Sequence, residues 1–581
     1  MFVPAGFAIR EAVVRQITDG EIAITPMMTH EDDFGTWWVA TIPVANRVNR
    51  YRFCLIGDTA ETSYLWLTAA GLVDHDVSDS TDFVLSAHEP PPEWVTDAVV
   101  YQIFPDRFAP SGRHYALPEW AVPTPWNQTP KRSGTAAEYY GGDLWGVLEH
   151  LDHIVDLGAN VIYLTPIFPA GSVHRYDAST FDEVDPLLGG DEALAALIAG
   201  AHERGVRVIL DLTTNHTGHT HDWFRAARAD AGSPEAGYYY FTDHPDAWLG
   251  WWNIPSLPKL NHANEALRSR LYADDDSVAA RWLTEPYLAD GWRIDVANMT
   301  GRIGDTDLAH DVARGLRTTL RRVGDRTGRD LWLIAEHGHD ASRDLLGDGW
   351  HGTMNYSGFT RPLWTWLADP DNDVDWLGLP MFVPRLSAEQ VQATLAGYNA
   401  ELPWASRVAS QNQLDSHDTP RFRTIVSSDD AYLVGFAALA TLPGVPTVFA
   451  GDEFGHIGYN GEESRTTIDW DALEAGAPPI LETIREWLAL RNTEAALRSG
   501  GQRWILASDN CLSFVRTHPD GDVLVLLARG PVDEQRIPLV NLRASGAESL
   551  LTLGGAAATS SGGELRLGAS GPGAIVLRLT V

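Results

Sequence analysis

Four short segments place carboxylates, histidines and an arginine at the ends of apolar runs. They are "DLTTNH" (Asp211, Asn215, His216), "GWRIDVAN" (Arg293, Asp295), "AEHGH" (Glu336) and "LDSHD" (His417, Asp418). One aspartate at a strand end is as often structural as chemical. Such a set converging on one cavity is not a stable core, because buried charges cost several kcal/mol each unless paired. The residue types suit cleavage of a glycosidic bond. One ionised carboxylate attacks the anomeric carbon and one protonated carboxyl protonates the leaving oxygen, ~5–5.5 Å apart when configuration is retained. Arg293, two residues before Asp295 on the same face of its strand, would keep Asp295 ionised. Glu336 needs its pKa raised by neighbouring carboxylates and an apolar wall. Asp418 and the histidines are then left to hold sugar hydroxyls and stabilise positive charge on the ring.

Positioning these groups requires their strands to end at one face. From Val99 onward, apolar strand-like runs alternate with helices or longer inserts: "VVYQIF", "NVIYLTPIF", "VRVILDL", "WRIDVA", "LWLIAE", "HGTMNY", "SQNQLDSHD" and "VPTVFAGDE". Eight such units predict a closed parallel (β/α)8 barrel, whose strand C-termini carry the site. An open doubly wound sheet is disfavoured because no Gly-rich phosphate loop follows the first run. Residues 94–498 are assigned to the barrel, with an inserted small domain at about 217–274, since a loop that long is usually functional. Residues 1–90 alternate in short runs such as "TWWVATIPV" and "RYRFCLIG", predicting an N-terminal β-sandwich. The proline-rich "HEPPPEW" marks the boundary, and residues 499–581 predict a C-terminal β-sandwich.

Composition narrows the partners. The 581-residue chain carries a formal charge of −35, which argues against nucleic acid and anionic membranes and is compatible with a neutral sugar. It has no run of ~20 apolar residues and no secretory pattern at its start, so a cytoplasmic protein is expected. The two cysteines, Cys54 and Cys511, lie at opposite ends of the sequence and predict no disulfide framework. Lys131 and Lys259 are the only lysines, so a lysine inside a motif is conspicuous.

In order and spacing, these segments resemble the sequence regions of the α-amylase family of glycoside hydrolases, over roughly residues 94 to 498. The resemblance implies Asp295 as nucleophile, Glu336 as general acid/base and Asp418 as transition-state stabiliser. It implies sugar contacts from Arg293, His216 and His417, with Asp211 and Asn215 in support. "HRYDAS" matches the segment whose tyrosine stacks on the sugar, which implies Tyr176 in that role with His174 and Asp177 beside it. "LPKLN", with Lys259, is similar to a motif of cyclomaltodextrinases, neopullulanases and maltogenic amylases, as is the β region ahead of the barrel. In that subfamily the β region helps build a dimer, so a homodimer is expected. Asn298 and Arg421 complete the implied substrate contacts.

The departures from the subfamily bear on specificity. Met299 stands where it typically has Glu, and His337-Gly338-His339 where it has Trp-His after the catalytic Glu. Both positions adjoin the leaving sugar, which points to short or cyclic malto-oligosaccharides, including cyclic tetrasaccharides with alternating α-1,4 and α-1,6 bonds. The Asn/Asp-rich loop that typically supplies calcium ligands is replaced by "APSGRHYALP", leaving Gly141–Asp143, so no cofactor is expected. A transglycosylase or isomerase using the same intermediate is the alternative. A non-catalytic binding subunit is disfavoured because all three catalytic carboxylates are present.

Overall fold

The computed structural model describes residues 1–57, 64–376, 379–426 and 428–581. At its centre are eight parallel strands: β1 (Val100–Ile103), β2 (Val161–Leu164), β3 (Arg207–Thr213), β4 (Gly291–Asp295), β5 (Trp332–Ala335), β6 (Gly352–Thr353), β7 (Gln411–Gln413) and β8 (Val445–Phe449). Their order, β6-β5-β4-β3-β2-β1-β8-β7, is that of a barrel, and a parallel bridge between Met354 and Gln411 joins β6 to β7 and closes it. The expected barrel is present.

The pleat explains why these strands read as unbroken apolar runs. Val100, Val161, Tyr163, Ile209, Ile334 and Val445 point inward and form one cluster. The intervening Tyr101, Ile162, Val208, Leu210, Trp292 and Leu333 point outward into the layer beneath the helices. A strand buried on both faces has no polar side to display. The helix Ala309–Thr327 shows the matching helical logic, burying Val312, Ala313, Leu316, Leu320 and Val323 and stopping at Gly328 in the left-handed conformation. β6 and β7 are shorter than their sequence runs suggest. After Met354 the chain turns at once into the segment Tyr356–Thr360, nucleated by the Asn355 side chain accepting from the Gly358 amide.

Between β3 and β4 the chain builds a helix (Asp222–Ala229) and a small hairpin (Phe241–Asp243 with Ala247–Trp248). It then returns across the barrel mouth, where His216 and Lys259 form a β-bridge. The N-terminal region is strand-rich. Phe2–Pro4, Met28–Asp32 and Gly35–Val39 form one sheet that packs on a six-stranded one, with Val3 and Trp38 meeting Ala12 and Leu55 between them. The proline segment is docked, because Arg317 donates to the carbonyls of Glu89 and Pro90. The C-terminal strands form a six-stranded antiparallel sheet. Its Leu512, Phe514, Val525 and Leu527 face the barrel helices, while Leu524, Leu526, Leu565 and Leu567 enclose a separate core. Cys54 and Cys511 are buried free thiols. Among the described residues no helix is long and apolar enough to cross a membrane.

Candidate active site

Strand register sets the chemistry. Ile294 on β4 pairs with Ala335 on β5, and the Glu336 amide donates to the Ile294 carbonyl at 3.0 Å, so Asp295 and Glu336 are next in line on adjacent strands. Neighbouring strands are ~4.8 Å apart, a spacing comparable to the ~5–5.5 Å between carboxyls that a covalent glycosyl transfer uses. On the other side, Asp211 pairs in register with Arg293. Alternation therefore delivers Asp211, Arg293, Asp295 and Glu336 to the barrel interior.

Arg293 is fully buried and organises the cluster. Its guanidinium lies 3.0 Å from Asp211, 3.3 Å from Asp295, 3.1 Å from Glu336 and 3.9 Å from Asp418. Arg465 adds a second cation, 3.4 Å from Asp418 and donating to the His417 carbonyl. Four carboxylates against two guanidiniums leave negative charge in excess, in a place shielded from water. Burial pushes Glu336 above its ordinary value and Asp418 pushes it further, while Arg293 opposes. The direction of that shift favours the protonated form, the form a general acid uses. Burial, then Glu336, also push Asp295 well above the usual carboxylate range, and Arg293 pulls it back. One Asp295 oxygen is held by Arg293, whereas Oδ2 is buried with no partner among the described residues, free to meet an electrophilic carbon.

A relay of neutral donors surrounds the charges. The hydroxyls of Tyr163 and Tyr176 donate to Asp211 at 2.6 and 3.1 Å. The Tyr176 hydroxyl also meets His417 Nε2 at 2.5 Å, and His417 Nδ1 meets the Gln102 amide. Burial lowers His174 to about 4 and His216 to about 3, so both are uncharged at neutral pH and can donate and accept toward hydroxyls.

Two adjoining chambers meet at Glu336 and Asp418. The first, about 510 Å³, is lined by Asp295, His174, Tyr176, His216, Trp251 and Arg465, among others. The second, about 420 Å³, holds Gly338, Tyr356, Arg361 and Tyr459 but not Asp295. Asp295 opens into the first chamber only, whereas Glu336 and Asp418 border both.

Several expected contacts are placed elsewhere. Arg421 does not reach the cleft. It is fully buried, donating to Asp452 and to the carbonyls of Phe449, Ala450 and Ser464, and so it ties β8 to the segment after β7. Lys259 is spent on the Asn215 side chain and the Met299 carbonyl, clamping the inserted segment to the barrel. Burial lowers it to about 8, which leaves it mostly charged at neutral pH. Met299 acts through a neighbour, because its sulfur accepts from the Trp251 indole, which stacks on His216. His337 is buried behind Glu336, 3.1 Å from Asp344, and does not line either chamber. The Asn298 carbonyl accepts from Arg302. Asp177 braces its own turn through Ser172 and the Gly171 amide. Asp143 is a helix N-cap, accepting from the Gly146 amide and from Ser111 and Tyr115. Trp251, Arg361, Tyr459 and Arg465 are cleft residues that the motifs did not mark.

The raised carboxyls fix the sign of the pH response. Activity is expected to fall in acid as the Asp295–Glu336 pair takes up its second proton, and in alkali as the pair loses its last. Both limbs of kcat/KM should lie above the ~3.9 and ~4.3 of free Asp and Glu. A rate profile at constant ionic strength checks this, and an acid limb at or below those values would contradict the burial argument.

The catalytic-domain model of the α-amylase family matches residues 102–498. A cyclomaltodextrinase of Geobacillus thermopakistaniensis is 31% identical over 540 residues, covering 88% of this chain and 84% of that protein. The intracellular maltogenic amylase of Bacillus subtilis is 31% identical over 454 residues, 76% of this chain and 70% of the relative. Among solved structures, the ligand-free cyclic α-maltosyl-(1→6)-maltose hydrolase of Arthrobacter globiformis is 31% identical, with a TM-score of 0.68, covering 84% of this chain and 100% of that one. With its barrel, its paired carboxylates and these matches together, the chain belongs to the α-amylase family of glycoside hydrolases.

Proposed function

We propose that this enzyme hydrolyses short or cyclic malto-oligosaccharides with retention of anomeric configuration. The observation that carries this reading is that Asp295 and Glu336 follow the last paired residues of adjacent strands and share one buried arginine. Asp295 Oδ2 attacks the anomeric carbon while Glu336 passes its proton to the departing oxygen. A water then enters on the leaving-group side, gives its proton to Glu336, and displaces Asp295 from the sugar. Asp418, which lines both chambers, offsets the positive charge that develops on the ring, while the fully buried Arg293 holds Asp295 and Glu336 in place from behind.

Substrate size is read from the walls and the relatives. Trp251 and Leu257, both from the inserted segment, line the first chamber beside His216. Relatives named for cyclic substrates, cyclomaltodextrinase and cyclic maltosyl-maltose hydrolase, support compact oligosaccharides, with α-1,4 and α-1,6 bonds both in range. The expected outcome is faster cleavage of maltotriose, panose and cyclic tetrasaccharide than of soluble starch, compared as kcat/KM per chain end. Starch degraded as fast as panose would overturn the size preference.

The division into residues 1–90, 94–498 with the insert at 217–274, and 499–581 belongs to the same proposal. So do cytoplasmic location and a homodimer built through the N-terminal strands. Exposed Ile22, Ile24, Met28 and Val39 on those strands support an interface there. Light scattering at micromolar concentration should give twice the mass of one chain.

A further inference from the structure

We propose that Arg361 is the residue that recognises the leaving sugar, donating to its hydroxyls from the wall of the second chamber. This rests on the hydrolase reading above and adds the specificity of its acceptor half.

The interior arginines of the barrel and the C-terminal sheet each have at least one side-chain hydrogen bond. Arg175, Arg293, Arg421, Arg491 and Arg516 all donate to carboxylates or carbonyls. Arg361 departs from that pattern. It begins the helix Arg361–Leu367, in which Pro362 through Leu367 are buried, and it alone there is half-exposed. Among the described residues its backbone amide donates to the Tyr356 carbonyl, but its side chain has no hydrogen bond and no ion pair, and its Nε is a buried donor without an acceptor. Yet it lines the same chamber as Glu336 and Asp418. A guanidinium offers five N–H donors in a fixed plane. One left unmatched beside a catalytic acid is matched by whatever enters.

Access to it is open. Gly338, two residues after the catalytic acid, lines this chamber, and a Cβ built there meets nothing within 4 Å. The missing side chain leaves the space through which a ligand reaches Arg361. The chamber also sets the ligand's charge. Glu336, Asp375 and Asp418 face into it, so an anion is repelled and a neutral polyhydroxylated group is favoured. Tyr459 supplies a ring, one face of which is covered by Arg132 at 4.0 Å. A sugar leaving group fits that chemistry.

The test compares two leaving groups on one glycone. Arg361→Met, Arg361→Lys and Gly338→His are assayed on maltotriose and on nitrophenyl α-maltoside, whose aryl leaving group has no hydroxyls. A lost charged donor should lower kcat/KM for maltotriose by about 10- to 100-fold in Arg361→Met. The aryl substrate should lose far less, so the ratio of the two shifts at least about tenfold, with Arg361→Lys restoring part of it. Gly338→His, which fills the access space, should shift the ratio in the same direction and serves if Arg361→Met folds poorly. An unchanged ratio in all three variants overturns the assignment while leaving the hydrolase reading intact. Wild-type enzyme that cleaves neither substrate overturns both.

Discussion

Replacing Asp295 with Asn is expected to lower kcat by on the order of 10⁴-fold or more, since no covalent intermediate can form. Glu336→Gln should cost ~10²–10⁴-fold on sugar leaving groups, the usual range for a general acid, and much less on a glycosyl fluoride, which departs without a proton. Neither change should unfold the protein. Asp295→Asn removes a negative charge from a site where carboxylates outnumber guanidiniums, and Glu336→Gln exchanges a protonated carboxyl for a neutral amide of the same shape, so self-repulsion does not rise. Thermal melting of both variants should therefore match or exceed wild type. Near-normal turnover on maltotriose by either variant, with an intact melt, would remove that residue from its role.

Arg293→Met has the largest expected effect on stability. The side chain is fully buried, and its removal leaves Asp211, Asp295 and Glu336 in the interior without their cation. Breaking a buried ionic cluster in this way costs about 3–5 kcal/mol. The pH dependence follows from sign. Without Arg293 the folded-state pKa values of these acids rise further above their unfolded values. A raised carboxyl is neutral in acid, where the fold bears little cost, and it destabilises the fold as pH rises through the unfolded pKa of ~4. The melting gap between variant and wild type should therefore be small near pH 4 and widen toward pH 8, as followed by calorimetry. A gap that is constant with pH, or under about 1 kcal/mol at neutrality, would mean that Arg293 is not what holds these charges.

The parts of the molecule governed by local periodicity were legible in the sequence. Strands β1 to β5 and β8 are apolar on both faces, and a closed, helix-covered sheet buries both. The placement of the charged residues on β3, β4 and β5 was equally legible, because a charged residue ending such a strand can point only into the barrel mouth. What periodicity cannot encode is the partner of a long side chain. Arg421 stands in a motif that touches sugar by resemblance, but its acceptors come from β8 and the Ser464 loop, far along the chain, and they turn it inward. Lys259 and Met299, placed among the sugar contacts by their motifs, make their contacts within the protein. Their roles are a clamp on the insert and a rest for Trp251, which depend on how the insert folds back. Trp251 and Arg361 were missed for the same reason. One lies in the irregular return of the insert and the other at the start of a short helix after β6, outside any strand-end pattern.

The assignment of Asp295 as the covalent nucleophile is the claim on which the rest depends, and it can be tested by trapping. Glu336→Gln enzyme is mixed with α-maltosyl fluoride, which needs no acid to form the intermediate but lacks the base that would hydrolyse it. After quenching, peptides are mapped by mass spectrometry. The expected result is a maltosyl adduct on the peptide spanning Gly291–Asp295, localised to the Asp295 carboxylate and absent from Asp295→Asn. An adduct on Asp211 or Asp418, or no adduct together with a product of inverted configuration, would contradict the account.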